Sequence, residues 1–399
     1  MVYKAVQNQA GFECRSANDV STFANTTAGL LSAAGSDSVP AALSLPAHFI
    51  VDSLEKPLPL PQAPEEPSPP PLLAIVGPTA AGKSALALAT AERWNGEIVN
   101  YDSVQLYRGF DIGAGKVPPS ERRGVPHHLL DVAEPHQVFT AGDYRREALQ
   151  VLESIRERRR LPILVGGTGL YLRALLLGLF EGPRRSESLR ARLKAMAERR
   201  NRHIDRSCRG SEGGQNGGEF LHRLLRRLDP AAAARIHTRD QQKTLRAIEV
   251  CLLARQPMSG MLERGRSGLR GFNVIKIGLS PDRARLHERI DRRVEGMFAA
   301  GLLDEARQAI ELTDGPRLKP LEALGYRQAC AVLRGEITQE DAVRETEAAT
   351  RQYAKRQMTW FRRETGVTWF AGFGDDPDIQ RQIVQWLGPR LEKSEACRS

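Results

Sequence analysis

Residues 77–84 carry the most recognisable chemistry in the sequence, because GPTAAGKS matches the pattern G-x-x-x-x-G-K-[ST]. The motif follows the apolar run LLAIV and precedes a helical pattern, the context in which such a loop binds phosphates. Glycines let backbone N–H groups turn inward, Lys83 neutralises negative charge, and the Ser84 hydroxyl can bind Mg²⁺. The predicted phosphate loop comprises Gly77, Pro78, Thr79, Ala80, Ala81, Gly82, Lys83 and Ser84.

Two further polar side chains follow apolar runs that are predicted to be strands of the same sheet. Asp102 ends EIVNYD, and Thr168 lies in LPILVGGTG. Open α/β sheets form their ligand crevices at the carboxyl ends of strands, so both side chains are expected near the phosphate loop. From its position alone, Asp102 can act as a general base, anchor a metal ion or cap a turn.

Other groups of potential ligands each have a simpler alternative. His127 and His128 are adjacent in an extended segment and point to opposite faces, so a structural role is favoured over a metal site. Arg289, Arg292 and Arg293 fall within one helical turn, where they form either a solvated face or a bidentate phosphate donor.

A basic stripe is predicted on the long helix near the C-terminus. Arg351, Lys355 and Arg362 recur at spacings of four and seven, with Tyr353 and Trp360 nearby. The stripe suits contacts with backbone phosphates and stacking on bases, and a solvated helix has the same pattern.

The elements that must position these groups alternate between short apolar runs and amphipathic segments from residue 72 onward, which predicts an α/β fold. We expect a P-loop NTPase-like parallel sheet flanked by helices, with VIKIGLS at 274–280 as its last strand. Thr140 is expected to cap a helix with Asp143 in the capping-box position. The predicted organisation is a disordered leader at 1–71, a first core part at 72–182, a helical insertion at 183–240, a second core part with C-terminal helices at 241–372, and a tail at 373–399.

The charge balance favours a polyanionic partner without proving one. The net charge is +10, and residues 1–71 hold three Lys/Arg and seven Asp/Glu, which leaves 55 basic and 41 acidic residues in the remainder. Such an excess is typical of nucleic-acid binding, although it also occurs in proteins that bind none. The five cysteines lie far apart without a zinc or disulfide pattern, and no signal peptide or membrane span is present, so a reducing, cytoplasmic setting is expected.

Taken together, the motifs closely resemble the tRNA dimethylallyltransferase family, also called tRNA isopentenyltransferases, from about Leu72 to Phe370. The residues that carry the resemblance are GPTAAGKS, NYDSVQLYRGFDIGAGK, GVPHHLLD, LPILVGGTGLYLRALL, DPAAAARIHTRDQQKTLRAIEV, LGYRQ and RQYAKRQMTWFRR. The chain departs from the family at 111–117, where it reads DIGAGKV instead of the common DIGTAKP, which puts the detail of that loop in doubt.

The resemblance implies transfer of a dimethylallyl group from dimethylallyl diphosphate to the exocyclic N6 amine of the adenosine 3′ of the anticodon, in tRNAs that read codons beginning with U. It assigns catalytic roles to Asp102, Thr79 and Arg293. The phosphate loop would hold the diphosphate of the donor with Mg²⁺ at Ser84, and Asp102 would deprotonate the amine of the flipped-out adenine.

The resemblance also implies that the insertion binds the anticodon stem-loop and that the protein acts as a monomer. The implied tRNA contacts fall at 102–105, 168, 190, 242–246, 322–327 and 355–362, and include Asp102, Ser103, Val104, Gln105, Thr168, Arg190, Gln242, Lys243, Thr244, Leu245, Arg246, Gly325, Tyr326, Arg327, Lys355, Arg356 and Arg362.

Three rival functions use the same phosphate loop. A small-molecule kinase would use it on ATP but does not require DSVQLYRG, and a prenyltransferase acting on free adenine nucleotides needs neither the basic insertion nor the basic stripe. A non-catalytic RNA-binding P-loop protein would not need Asp102, Lys83, Ser84 and Arg293 together.

Overall fold

The computed structural model describes residues 69–180, 182–207, 217–263, 265, 267–311 and 318–396. The predicted leader, up to residue 68, and residues 210–216 of the glycine-rich part of the insertion lie outside these ranges. Everything below concerns the described residues.

Six parallel strands form one sheet in the order β3-β2-β4-β1-β5-β6 within the described part of the chain. Three of them, β1, β2 and β4, are buried along their whole length, as continuous apolar runs predict for a parallel sheet covered on both faces. The α/β fold with a parallel sheet flanked by helices is confirmed. The strands are β1 Pro71–Val76, β2 Gly96–Asn100, β3 His127–His128, β4 Leu161–Val165, β5 Asn273–Leu279 and β6 Val367–Phe370.

The helices are numbered in chain order, and two short 3₁₀ turns, Pro119–Glu121 and Lys319–Glu322, lie between them. They are α1 Lys83–Arg93, α2 Ala141–Glu157, α3 Gly169–Leu176, α4 Glu187–Ser207, α5 Gly217–Leu228, α6 Pro230–Arg235, α7 Gln241–Ala254, α8 Met258–Glu263, α9 Arg283–Ala299, α10 Leu302–Glu311, α11 Tyr326–Leu333, α12 Gln339–Phe361 and α13 Pro377–Ala396.

The two faces of the sheet are covered by different helices because side chains alternate along a strand. Leu73 and Ile75 of β1 pack in one cluster with α1 and α13. Leu72 and Val76 point the other way and pack in a cluster with α2, α3 and Phe361 of α12. The phosphate loop, which follows β1, is thus held near the middle of the sheet.

A separate apolar cluster joins α4 to α8. It contains Leu193 of α4, Leu221 and Leu225 of α5, and Leu245 and Ile248 of α7. Because α7 packs against α4 and α5, the helical unit of the structure extends past residue 240, where the sequence analysis ended the insertion.

The C-terminal part of the chain corrects two predictions. β5 is not the last strand, because Val367 to Phe370 pair with Lys276 to Leu279 and add β6 at the edge. The predicted tail at 373–399 contains α13, whose apolar side chains recur every four residues and are buried against the sheet: Ile379, Ile383, Leu387 and Leu391. Burying an Ile or Leu side chain stabilises the fold by about 1.5–3 kcal/mol.

The predicted start of α2 is confirmed by its capping box. The Thr140 hydroxyl accepts a hydrogen bond from Asp143 N at 3.2 Å, and the Asp143 carboxylate accepts one from Thr140 N at 3.0 Å. Among the described helices, none is both long and apolar enough to cross a membrane.

Candidate active site

The phosphate loop has the backbone geometry that its glycines predict. Gly77 has a φ of 146°, and a Cβ added there would lie 2.9 Å from the carbonyl oxygen of Leu279. Gly82, with a φ of 80°, precedes the first turn of α1. Lys83 Nζ donates to Pro78 O at 2.7 Å, which folds the side chain over the loop. The loop therefore presents the N-terminus of α1 and an amine to the same space.

A glutamine on α12 connects the loop to the strand beside it. Gln357 is buried, its Oε1 accepts from Thr79 N at 2.7 Å, and its Nε2 donates to Gly167 O at 2.9 Å. The Tyr353 hydroxyl donates to the same carbonyl at 3.3 Å. Gln357 lies in the range that the resemblance assigned to RNA contacts, and the structure places it against the phosphate loop.

Asp102 lies just past β2 and is held by short-range hydrogen bonds. Its backbone N–H donates to Asn100 Oδ1 at 2.9 Å, and its Oδ1 accepts from Val104 N at 2.9 Å. The Thr168 hydroxyl accepts from Ser103 N at 3.0 Å, so the ends of β2 and β4 are linked beside the carboxylate. With Oδ1 used to order the turn, Oδ2 is the oxygen left for a ligand.

One cavity of about 820 Å³ brings most of the predicted catalytic groups together. Six loop residues from Thr79 to Ser84 line it, with Asp102, Gln105 and Arg293. Gly77 and Pro78 do not line it. The predicted catalytic residues Thr79, Asp102 and Arg293 thus share one space with the phosphate loop.

The cavity is rich in positive charge that burial makes unstable without a ligand. Desolvation, with the nearby Arg293 charge, lowers the pKa of Lys83 to about 7, although Asp102 opposes the shift. Desolvation also lowers the pKa of Arg293, with Arg289 adding to the shift and Asp102 opposing it. A bound polyanion would relieve both effects, because an opposite charge favours the charged form.

A second, smaller cavity of about 330 Å³ meets the first at the same residues. Thr79, Asp102, Arg293 and Tyr353 line both cavities. The second cavity adds apolar side chains from α9 and polar groups from α12, among them Ile290, Val294, Met297, Thr350 and Arg356. Two ligands that enter separately can therefore meet beside Asp102.

The loop at 109–117 closes one wall of the large cavity and is tied down at both ends. The Glu305 carboxylate accepts from the backbone N–H groups of Asp111, Ile112 and Gly113 at 2.8, 2.9 and 3.2 Å. Lys116 Nζ donates to Asp111 and Asp131 at 2.7 and 2.5 Å.

The middle of that loop is held from inside the cavity. Gln105 Nε2 donates to Ala114 O at 3.1 Å and to Gly115 O at 3.3 Å. The departure from the family pattern at 111–117 therefore occurs in an ordered loop.

A segment after β6, which sequence reasoning missed, also packs on the phosphate loop. Gly374 N donates to Ala81 O at 2.9 Å, and the Asp375 carboxylate lines the cavity. Arg289 binds Asp375 through two hydrogen bonds of 2.8 and 2.7 Å and stacks on Phe373. No local sequence pattern pairs residues so far apart, so this contact was not predictable.

The histidines have the structural roles that their spacing favours. His127 Nδ1 lies 2.8 Å from Val125 O, and His128 Nε2 lies 2.7 Å from Glu97 Oε2. In the described ranges, no group of three or more His, Cys, Asp or Glu side chains could hold a metal ion by itself.

The chain matches the family model described as IPP transferase over residues 105–364. It is 49% identical over 322 residues to the tRNA dimethylallyltransferase of Solibacter usitatus, which covers 80% of this chain and 99% of that protein. The chain belongs to the IPP transferase family.

Other IPP transferase relatives agree with this assignment. The tRNA dimethylallyltransferase of Koribacter versatilis is 50% identical over 318 residues, covering 80% of this chain and 98% of that protein. The crystal structure of a tRNA isopentenylpyrophosphate transferase from Bacillus halodurans has a TM-score of 0.56 and 35% identity, and covers 82% of this chain and 99% of that chain.

The residues expected to contact RNA in this IPP transferase divide into buried and exposed sets. In the helical unit, Thr244 and Leu245 are buried, and Arg190 and Arg246 bind the buried Glu249 at 3.2 and 2.7 Å. Gly325 and Tyr326 are also buried, and the Tyr326 hydroxyl binds Glu305. The exposed members are Gln242, Lys243, Arg327, Lys355, Arg356 and Arg362.

Proposed function

We propose that this protein transfers a dimethylallyl group from dimethylallyl diphosphate to the N6 amine of the adenosine 3′ of the anticodon, in tRNAs that read codons beginning with U. The products are N6-isopentenyladenosine in the tRNA and free diphosphate. The observation that carries the proposal is the shared cavity, in which Asp102 lies with the phosphate loop and Arg293 in a chain of the IPP transferase family.

The phosphate side of the cavity binds the leaving group. Lys83, Arg293 and the N–H groups at the start of α1 neutralise the diphosphate as the carbon–oxygen bond breaks. An allylic carbon tolerates partial positive charge, so stabilising the departing anion supplies most of the catalysis. The depressed pKa values of both cations mean that this polar environment is already arranged before the donor arrives.

The residues present fit a magnesium ion held jointly by protein and donor. Mg²⁺ is usually bound by one or two protein oxygens together with substrate phosphates and water. Ser84 lines the cavity beside Lys83, and the Asp102 and Asp375 carboxylates line the same space. Ser84 would hold the ion, which would neutralise further charge on the diphosphate.

The acceptor side of the cavity is organised around Asp102. The amine of adenine is a weak nucleophile because its lone pair is delocalised, and Asp102 takes its proton as the new bond forms. The adenine is flipped out of the RNA and enters through the second cavity, so that donor and acceptor meet at the shared residues Thr79, Asp102 and Arg293.

The exposed cations around the second cavity bind the RNA backbone. Arg356 lines that cavity, and Arg327, Lys355 and Arg362 are exposed on α11, α12 and its C-terminal end. Arg190 and Arg246 instead fix the insertion through Glu249. We place the reaction in the cytoplasm and assign it to a monomer.

One assay tests the whole proposal. The protein is incubated with radiolabelled dimethylallyl diphosphate and Mg²⁺, with unmodified tRNA, AMP or ATP as acceptor in parallel reactions. Label is expected in the tRNA alone. Label in AMP, or no transfer to any tRNA, contradicts the proposal.

The role of Asp102 is tested by Asp102→Asn, which removes the base and keeps the shape. Transfer is expected to fall by about 10²–10⁴-fold, the usual contribution of a positioned base, while tRNA binding is retained. Asp304→Asn on the exposed face of α10 is the matched control and is expected to react normally. Normal turnover by Asp102→Asn would show that another group accepts the proton.

A further inference from the structure

Arg293 lies where three cavities meet. It lines the large cavity of about 820 Å³, the second cavity of about 330 Å³, and a third of about 530 Å³ on the outer side of the loop at 109–117. Its side chain is half-buried on α9, and within the described ranges its guanidinium makes no hydrogen bond or ion pair. Packing, rather than a polar partner, must therefore hold the guanidinium in place.

The packing partner is a glycine. Gly115 has a φ of 60°, and a Cβ added to it would lie 1.9 Å from Arg293 Nη2 and 3.0 Å from Cζ. Gly115 and Arg293 line both the large cavity and the third cavity, so their contact forms part of the wall between them. A side chain at 115 and the observed guanidinium position exclude each other.

The surrounding hydrogen bonds determine which of the two must move. Glu305 and Lys116 tie the loop on both sides of Gly115, and Gln105 binds the Gly115 carbonyl at 3.3 Å. Arg293, in contrast, meets Gly115 with the far end of a flexible side chain. An added methyl group would therefore displace the guanidinium and leave the loop where it is.

We propose that Gly115 is a positioning residue for the transfer reaction, because its missing side chain lets the Arg293 guanidinium reach into the phosphate cavity. This inference rests on the proposed function for the role of Arg293 in transfer. It adds the reason why the loop is DIGAGK here: the glycine that departs from the common family pattern is the residue against which the cation rests.

The test compares Gly115→Ala with Gly124→Ala. Gly124 is exposed, has a similar φ of 74°, and has no atom within 4 Å of an added Cβ, so it shares the backbone strain without the contact. Gly115→Ala is expected to lower kcat by about 100-fold, the effect of misplacing a catalytic group by about 1 Å. Gly124→Ala is expected to stay within about twofold of the native protein.

A third comparison separates displacement of Arg293 from general damage. Arg293→Lys removes the guanidinium tip, so adding Gly115→Ala to it is expected to change kcat by less than about threefold. Thermal unfolding of Gly115→Ala and Gly124→Ala checks that both fold alike. Equal kcat values for these two variants, or full additivity of Gly115→Ala with Arg293→Lys, would overturn the inference.

Binding of inorganic diphosphate, measured by calorimetry without RNA, distinguishes this inference from the proposed function. Gly115→Ala is expected to weaken that binding by about tenfold, in line with the loss of one well-placed charged contact. Gly124→Ala is expected to bind as the native protein does. If the native protein fails to transfer the prenyl group but these two variants differ in diphosphate affinity, the proposed function fails and the positioning role stands.

Discussion

Lys83 gives the sharpest prediction, because its pKa of about 7 places its charge change within the range of ordinary assays. A diphosphate requires the protonated amine, so its affinity should fall as the pH rises. With that pKa, Lys83 is about 90% protonated at pH 6 and about 10% protonated at pH 8. The affinity of the protein for inorganic diphosphate is therefore expected to fall by about tenfold across this interval beyond any change due to the ligand itself.

Two variants without a titrating group at this position provide the correction for the ligand's own protonation. Lys83→Arg stays charged and Lys83→Gln stays neutral, so their affinities should share the same shallower pH profile. Calorimetry in buffers of different ionisation enthalpy should also show uptake of about 0.9 proton by the native protein at pH 8 and less by either variant. Identical pH profiles for the native protein and Lys83→Arg would refute the assigned pKa and the resulting requirement for protonation.

The same shift predicts a change in stability of opposite direction. The folded protein releases the Lys83 proton near pH 7, whereas the unfolded chain keeps it up to about its ordinary pKa of 10.5. The desolvation penalty of the charged amine is thus relieved as the pH rises through 7, and this group favours folding more strongly between pH 7 and 10.5. Relative to Lys83→Gln, the free energy of unfolding of the native protein should rise over that interval.

Two further substitutions test the supports of the cavity. Gln357→Leu leaves Thr79 N–H and Gly167 C=O unpaired, and should lower the free energy of urea unfolding by about 1–3 kcal/mol for each group, whereas Gln352→Leu on the exposed face of α12 should not. Glu305→Ala removes the acceptor for three loop N–H groups, so hydrogen exchange at 111–113 should accelerate, with Glu311→Ala unchanged. Unaltered exchange after Glu305→Ala would mean that other contacts hold the loop.

Local sequence patterns were sufficient wherever one short segment determines its own geometry. The phosphate loop needs glycines at Gly77 and Gly82, and Thr140 with Asp143 forms a capping box within four residues. The carboxyl ends of β2 and β4 also lie side by side as parallel strands require, which brings Asp102 near Thr168 through Ser103. The rules of parallel sheets thus predicted the place of the site.

The missed features depend on contacts between distant parts of the chain. β6 is four residues long and becomes a strand only beside β5, and Gln357 binds Thr79 from 278 positions away. The apolar repeat of α13 was visible in the sequence, but Pro389 interrupts the pattern that normally indicates a helix. The burial of Tyr326 likewise depends on Glu305 of another helix, which no motif reports.

The hydrogen bond from Gly374 to Ala81 joins residues that leave the ribosome at very different times. β1 and the phosphate loop emerge early, whereas α13, whose buried side chains cover the same face of the sheet, is made last. A nascent chain that ends before residue 374 lacks both this hydrogen bond and the Asp375 partner of Arg289. The pocket for the prenyl donor is therefore completed at the end of translation, so ribosome-bound chains released too early are inactive rather than partly functional.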